Sequence, residues 1–435
     1  MKNILQNHIN KEIPYLKQKK LLLAVSGGLD SMVLLYLFQE LNCDIAIAHC
    51  NFQLRGMESF GDQKFVQDYA EANKIPIFVT QFDTEAFAKD YRLSTQVAAR
   101  ELRYNWFYEL LETEKFDYIV TAHHADDNLE TFLINLTRGT GLEGLTGIPV
   151  QNDRVIRPLL FLSRKEIENY AKANNIQWRE DSSNASDKYV RNKIRHHLIP
   201  ILKELNPHFM ASFLKTEGYL QESLAMVEDA ASMIFQQVAS EKDNQIHFDL
   251  NLLLQLPNYQ SYLYQWLKEY GFTAWEDIYD LVASQSGKQV FSTDYRLLKD
   301  RDSLILSAIA ETEDELFLIH ENDTEVKIPL KLAFSKVTAI SVASNKTIFV
   351  DADQLDFPLV IRKWEAGDSF QPFGMEGKSK KLSKFFKDEK LSLIEKENTW
   401  LLCSNNQIVW VIGQRADHRF RTSNTTKNIL RIELI

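Results

Sequence analysis

At 435 residues the chain is too long for one ordinary core, so two or three domains are expected. Its 45% hydrophobic and 25% charged composition, poor in Gly and Pro, is that of a soluble globular protein, and a net charge of −10 excludes wholesale coating of nucleic acid while leaving room for a local basic surface. Cys43, Cys50 and Cys403 make neither a disulfide framework nor a C-x-x-C pair, which points to a reducing compartment. The N-terminus MKNILQNHINKEIPYLKQKK has no apolar signal-like run and no apolar stretch reaches membrane length, so the expected location is the cytoplasm, away from the membrane.

Leu21 to Val25 is a short apolar run suited to a buried strand. Ser26-Gly27-Gly28-Leu29-Asp30-Ser31 breaks it, and Val33, Leu34 and Leu37 then recur with helical spacing. A strand, a tight glycine turn and a helix start gather unpaired N–H groups and a helix dipole at one point, which favours a bound phosphate. No Lys follows the glycines, so this is not the G-x-x-x-x-G-K-[ST] loop. The string resembles the SGGxDS pyrophosphate loop of the N-type ATP pyrophosphatases, which cut ATP between its α and β phosphates.

Asp44 to His49 reads as a second strand, ending in His49-Cys50-Asn51-Phe52-Gln53-Leu54-Arg55-Gly56. Lys64 to Asn73 is helical in pattern, and Ile75 to Thr80 makes a third strand. Ser94 is an N-cap candidate for a helix to about Leu111, with Ala98, Leu102, Trp106 and Leu110 on its buried stripe. Arg100, Arg103 and Tyr104 share another face of it. Tyr118 to Ala122 is a fourth strand, followed by His123-His124-Ala125-Asp126-Asp127-Asn128-Leu129-Glu130-Thr131 and a further helix. Strands alternating with helices predict an α/β fold, a doubly wound parallel sheet with ligands at the carboxyl ends of its strands. Both polar clusters, after His49 and after Thr121, fall at such ends.

Arg138 to Gly147 holds a formal G-x-G-x-x-G, but it follows a helix, so it reads as a flexible loop near the site rather than a dinucleotide fingerprint. Val155 to Leu160 suggests a fifth strand, and Ser163 with Glu166 a capping box for a helix to Ala173. Glu180 to Asn184 and the basic run Lys188 to His197 follow. From Pro207 the alternation gives way to long amphipathic helices, Phe209 to Gln237 and then Asn251 to Val282. Glu311 to Glu325, with seven carboxylates and no Lys or Arg, suggests a linker or exposed edge. Short β-rich pieces follow. The expected division is residues 1–206 catalytic, 207–312 helical and 326–435 a small α+β domain.

Five clusters in one order resemble the tRNA(Ile)-lysidine synthetase family: His49-Cys50-Asn51 to Leu54-Arg55-Gly56, Ala99 to Tyr104, Thr121 to Thr131, Arg138 to Gly141, and Arg191 to Arg195. Gly367 to Met375, running on into Lys380 to Phe386, resembles the family's last domain. One departure is Phe52, where the family often carries a second His. The resemblance implies a Rossmann-like PP-loop domain followed by two tRNA-binding domains. It implies ATP- and Mg²⁺-dependent ligation of L-lysine to the wobble cytidine of tRNA(Ile) with a CAU anticodon, through an adenylated cytidine, with release of pyrophosphate and AMP. The codon read changes from AUG to AUA and the identity from Met to Ile.

The chemistry assigns expected roles. Ser26, Gly27, Gly28, Leu29, Asp30 and Ser31 would cradle ATP, with Asp30 as metal partner. Asp127 and Glu130, at i and i+3 on one helix face, would take the lysine ammonium and help remove its proton. His123 and Arg195 join Asp30 and Asp127 as catalytic candidates. Arg55, Arg103, Arg138, Arg191, Lys380, Lys381 and Lys384 are expected on phosphates. Singly, each has a bland reading: first-turn acids suit any helix start, and paired Arg often make only a solvated face. His123-His124 without further ligands is a poor metal site. A tRNA thiolase with the same loop would need a cysteine set, and Cys43, Cys50 and Cys403 are ill spaced for it. A non-catalytic tRNA-binding module is disfavoured by the intact Asp30, Asp127 and Glu130. A homodimer is left open.

Overall fold

The computed structural model describes residues 1–180, 190–309 and 316–435, and the chain divides into two compact units, Met1–Asp229 and Ala230–Ile435. Asp181 to Asn184, the start of the basic run at Lys188, and the acidic residues 311–315 lie outside the described residues.

In the first unit the strands are β1 Lys20–Ala24, β2 Asp44–Asn51, β3 Ile77–Gln81, β4 Tyr118–Val120, β5 Gln151–Asn152 and β6 Val155–Ile156. The helices are α1 Lys2–Glu12, α2 Leu29–Glu40, α3 Met57–Asn73, α4 Thr84–Asp90, α5 Thr95–Thr113, α6 Ala125–Arg138, α7 Leu142–Leu145, α8 Arg164–Ala173, α9 Val190–Lys193 and α10 Ile199–Leu205. α11, Phe209–Val238, runs from the first unit into the second. The sheet order is β3-β2-β1-β4-β6-β5, parallel except for β5, which pairs antiparallel with β6. β1 is apolar from Leu21 to Ala24 because it is buried on both faces: Leu21 and Leu23 enter one core cluster and Leu22 the other. α2 is apolar on nearly every side for the same reason, with Met32 to Leu35, Leu37 and Phe38 all inaccessible.

The order of the strands reverses on either side of β1, which opens a crevice between the loops after β1 and β4. The second strand continues to Asn51, so His49, Cys50 and Asn51 belong to a strand end rather than a loop. The expected fifth strand, 155–160, is only Val155–Ile156, because Pro158 removes a ladder donor and the chain turns away. On α5 the Ser94 cap holds, with Ser94 Oγ accepting from Val97 N at 3.3 Å. Its buried face is Ala98, Phe107, Leu110 and Leu111, rotated from the expected stripe so that Leu102 and Trp106 are half-buried. The Ser163–Glu166 capping box is present.

The second unit holds the expected helical segments, Leu250–Leu253, Tyr259–Leu267 and Trp275–Ala283. With them comes a five-stranded antiparallel sheet, built from Ala239–Lys242, Gln245–Asp249, Gln289–Phe291, Tyr295–Asp300 and Ser303–Ala308, which the helical pattern did not announce. The C-terminal part packs a five-stranded sheet with a four-stranded one closed by Ile429–Leu434. Trp410, Leu402 and Ile432 sit in their shared core. No helix among the described residues is long and apolar enough to cross a membrane.

Candidate active site

A cavity of about 440 Å³ lies at the crevice. The loop after β1 lines one side with Ser26, Gly28, Asp30 and Ser31, and the end of β4 supplies Thr121, Ala122, His123 and, from α6, Asp127. The remaining wall is apolar and aromatic: Ala24, Ala48, Cys50, Phe52, Tyr104 and Phe107, with Arg103. Half polar cradle and half flat-ringed wall, it suits a ligand with an anionic end and an aromatic end.

The loop's shape is set by its own hydroxyls. Ser31 Oγ donates to Gly28 O at 2.9 Å and accepts from Ser26 N at 3.2 Å, and Gly28 caps α2. Gly27 has φ +90°, and a Cβ there would meet Val66 at 3.3 Å, so only glycine fits. Asp30 points from the first turn of α2, where a carboxylate is favoured by the dipole.

From Asp30 a line of alternating charge crosses the site. His124 Nε2 lies 3.6 Å from Asp30 Oδ1 and 3.4 Å from Asp127 Oδ2. Asp127 Oδ1 lies 3.6 Å from Arg195, whose Nε donates to Glu130 Oε1 at 2.6 Å and whose Nη2 donates to Oε2 at 3.1 Å. Arg191 Nε is 3.1 Å from the same carboxylate, and its Nη2 donates to Thr131 Oγ1 at 2.8 Å. Arg164 lies 3.6 Å from Asp30, and Lys203 pairs with Asp126 at 3.0 Å.

These neighbours set the protonation states. Burial would push Asp30 up, but His124, Arg164 and Arg195 outweigh it and hold its carboxyl below the usual range. Burial would lower His124, but Asp30, Asp127 and Asp126 reverse that and raise it. Its Nδ1 accepts from Asp127 N at 3.4 Å as the cap of α6, which leaves the Nε2 proton between the two carboxylates. Burial pushes His123 down to about 4, so its ring is neutral near pH 7, hydrogen-bonded through Nδ1 to Thr121 Oγ1 at 2.9 Å. Burial raises Glu130, against the pull of Arg195.

Of the expected site residues, Ser26, Gly28, Asp30, Ser31, His123, Asp127 and Arg103 meet at the cavity, with Arg195, Glu130 and Arg191 arrayed behind Asp127, whereas Gly27 does not line it and Leu29 packs into the core. Two placements differ from expectation. Glu130 is fully buried and bonded to two guanidinium groups, so its carboxylate is taken up by Arg195 and Arg191 and does not line the cavity. The imidazole bridging the two catalytic-candidate carboxylates is His124, with His123 on the cavity wall. Arg55 is tied to Asp62 at 2.8 Å, and Lys380 to Asp388 at 2.6 Å, so neither is a free cation for phosphate. Arg138 ends α6 on the surface, and Lys381 and Lys384 are exposed as expected. Arg103 stands 5.1 Å over the Phe52 ring, held by the aromatic residue that departs from the family pattern. Burial pushes the Cys50 thiol up to about 12, so the one cavity cysteine carries no thiolate for a thiolase.

The PP-loop domain model matches residues 1–202, the TilS substrate binding domain model 241–309 and the TilS substrate C-terminal domain model 359–434. A tRNA(Ile)-lysidine synthase of Parabacteroides distasonis is 40% identical over 428 residues, 96% of each chain. The chain belongs to the tRNA(Ile)-lysidine synthase family. Enzymes of the same name from Bacteroides thetaiotaomicron (38% identical, 98% of each chain) and Porphyromonas gingivalis (35%, covering 92% of this chain and 90% of that one) match over nearly the same span. As in that family, the chain is a ligase built on an ATP-using PP-loop domain.

Proposed function

We propose that the chain joins L-lysine to the wobble cytidine of tRNA(Ile) bearing a CAU anticodon, in two steps at one cavity. ATP first adenylates the cytosine carbonyl oxygen with loss of pyrophosphate. The lysine amine then displaces AMP, leaving lysidine and changing the codon read from AUG to AUA. The family names support the substrate. The line Asp30–His124–Asp127–Arg195, with the Ser26–Ser31 loop at one end, is the observation that carries the reading.

The loop N–H groups and the α2 terminus hold the polyphosphate. Asp30 Oδ1 is buried without a hydrogen-bond partner, which fits a position completed by a cation. One carboxylate together with phosphate oxygens is how Mg²⁺ is usually held, and the ion would neutralise charge growing on the departing pyrophosphate. The Nε2–H of His124, aimed between Asp30 and Asp127, adds a hydrogen-bond donor at the same point. Asp127 receives the lysine ammonium and, once the amine is held, accepts its proton. Arg103 faces the cavity from α5, where it can contact the α-phosphate or the reacting base.

The test is product identity. With tRNA(Ile) and ATP alone, pyrophosphate should form in an amount set by tRNA; adding lysine should release AMP and permit turnover. ADP and inorganic phosphate as products, or pyrophosphate formed equally without tRNA, would remove the proposed sequence.

A further inference from the structure

One buried acid near the ATP loop has no part in the chemistry above. Asp62, on α3, is 8% exposed and holds two guanidinium groups: Arg179 Nε donates to Oδ1 at 2.5 Å and Arg55 Nη2 to Oδ2 at 2.8 Å. Arg179 also reaches the loop through its backbone, its N–H donating to Gly27 O at 2.9 Å. A planar trans peptide points its C=O and N–H to opposite sides. Fixing the Gly27 carbonyl on Arg179 therefore turns the Gly28 N–H away from that contact, where it donates at 3.3 Å to the Oγ of Ser26, itself a lining residue of the cavity. Gly27 rests against Val66 and Phe65 of the same helix that carries Asp62, so α3 backs the loop at two points. The Arg179 guanidinium lies over a bare stretch of α3, where a Cβ on Gly61 would come within 2.9 Å of Nη2.

We propose that Asp62 and Arg179 are positioning residues for ATP: the carboxylate fixes Arg179, and the Arg179 backbone holds the Gly27–Gly28 peptide with its N–H on Ser26 Oγ at the cavity. This rests on the reading of Ser26–Ser31 as the ATP loop. Neither side chain touches substrate. Their effect is confined to how well the loop is formed before ATP arrives, and a preformed cradle binds more tightly than one that must be ordered.

The full-length chain is assayed for ATP, lysine and tRNA dependence, with thermal melting of each variant. Arg179→Ala and Asp62→Asn should each raise the KM for ATP and the inhibition constant for pyrophosphate about tenfold, with the KM for lysine unchanged. The double variant should be no worse than the poorer single one, since both act through one link. Gly61→Ala separates positioning from stability. It crowds the guanidinium while placing a better helix former in α3, so it should raise the KM for ATP yet melt above Arg179→Ala. ATP dependence unchanged in both Arg179→Ala and Gly61→Ala, or a lysine KM that rises as much as that for ATP, overturns the inference while leaving the loop reading intact. A wild-type chain that turns over without ATP would overturn the loop reading itself, and the inference with it.

Discussion

Asp127 and Glu130 sit three residues apart on α6, and the same chemical change at each should give different outcomes. The Asp127 carboxylate borders the cavity; its Oδ2 accepts the His124 backbone N–H at 3.1 Å in the α6 capping box, and its charged neighbours stand farther off, His124 Nε2 at 3.4 Å and Arg195 at 3.6 Å. If it takes the lysine ammonium, Asp127→Asn removes one charge-assisted hydrogen bond, about 1.5–3 kcal/mol. That is about a tenfold to hundredfold rise in the KM for lysine, with that for ATP little moved. Glu130 is inaccessible and bonded to Arg195 at 2.6 and 3.1 Å. Breaking a buried pair by removing one partner costs about 3–5 kcal/mol. Arg195 and Arg191 keep 25% and 42% of their side chains in contact with water, so they recover part of that, and about 2–3 kcal/mol is the expected loss for Glu130→Gln. Spread over a unit of this size, it lowers the melting temperature by roughly 4–12 °C. The assay is initial-rate kinetics with lysine and ATP varied separately, paired with calorimetry of both variants. A Glu130→Gln chain that melts normally but needs as much extra lysine as Asp127→Asn would make Glu130 a substrate ligand and refute its role as an anchor. An unchanged lysine KM in Asp127→Asn would refute the ammonium site.

Asp30→Asn should leave the melting temperature near wild type and nearly abolish pyrophosphate release, because the unpartnered Oδ1 loses its charge; near-normal release would dismiss Asp30 as the metal partner. His123 is held down to about 4 against about 6.5 when unfolded, so the unfolded chain binds the extra proton between those values and stability falls as pH drops through that window, by up to about 3 kcal/mol. His123→Asn should flatten the difference in urea midpoint between pH 7 and pH 5, and an unaltered difference would show the ring is not kept neutral by burial. For the C-terminal lysines, Lys381→Ala with Lys384→Ala should raise the KM for tRNA and reduce its salt dependence, while Lys380→Ala alone, already paired with Asp388, should not; equal effects from all three would mean the ion pair opens on binding.

The loop was legible because strand, Gly-Gly turn and helix start are adjacent in sequence, and each leaves a local mark. The clusters after β2 and β4 were legible for a related reason: a parallel sheet delivers its carboxyl ends to one edge, so their meeting follows from topology. What joins Arg195 to Glu130 spans 65 residues, and no spacing rule reaches that far. The choice between His123 and His124 was equally hidden, since it depends on which ring caps α6. Asp62 and Arg179, 117 residues apart, left no pattern at all. The antiparallel sheet of the second unit was masked by its length. Its strands have three to six residues, too few for alternation to stand out beside a 30-residue helix.

The geometry also explains why two carboxylates one helical turn apart can be kept for separate tasks. Arg195 has one guanidinium and two acids within reach, and it is committed unequally: two short hydrogen bonds to Glu130, one 3.6 Å contact to Asp127. Burial raises Glu130, which would weaken it as an anion if Arg195 and Arg191 did not both face it. With that demand met, Asp127 keeps unused acceptor capacity on the cavity side, next to a histidine that also faces Asp30 at 3.6 Å. On the proposed reading, an incoming ammonium would meet a carboxylate held in place but not satisfied, and the anchor that holds it would be one the substrate does not touch. A site with the two acids exchanged, the free one buried and the anchored one exposed, would have to break its own ion pairs before it could bind lysine.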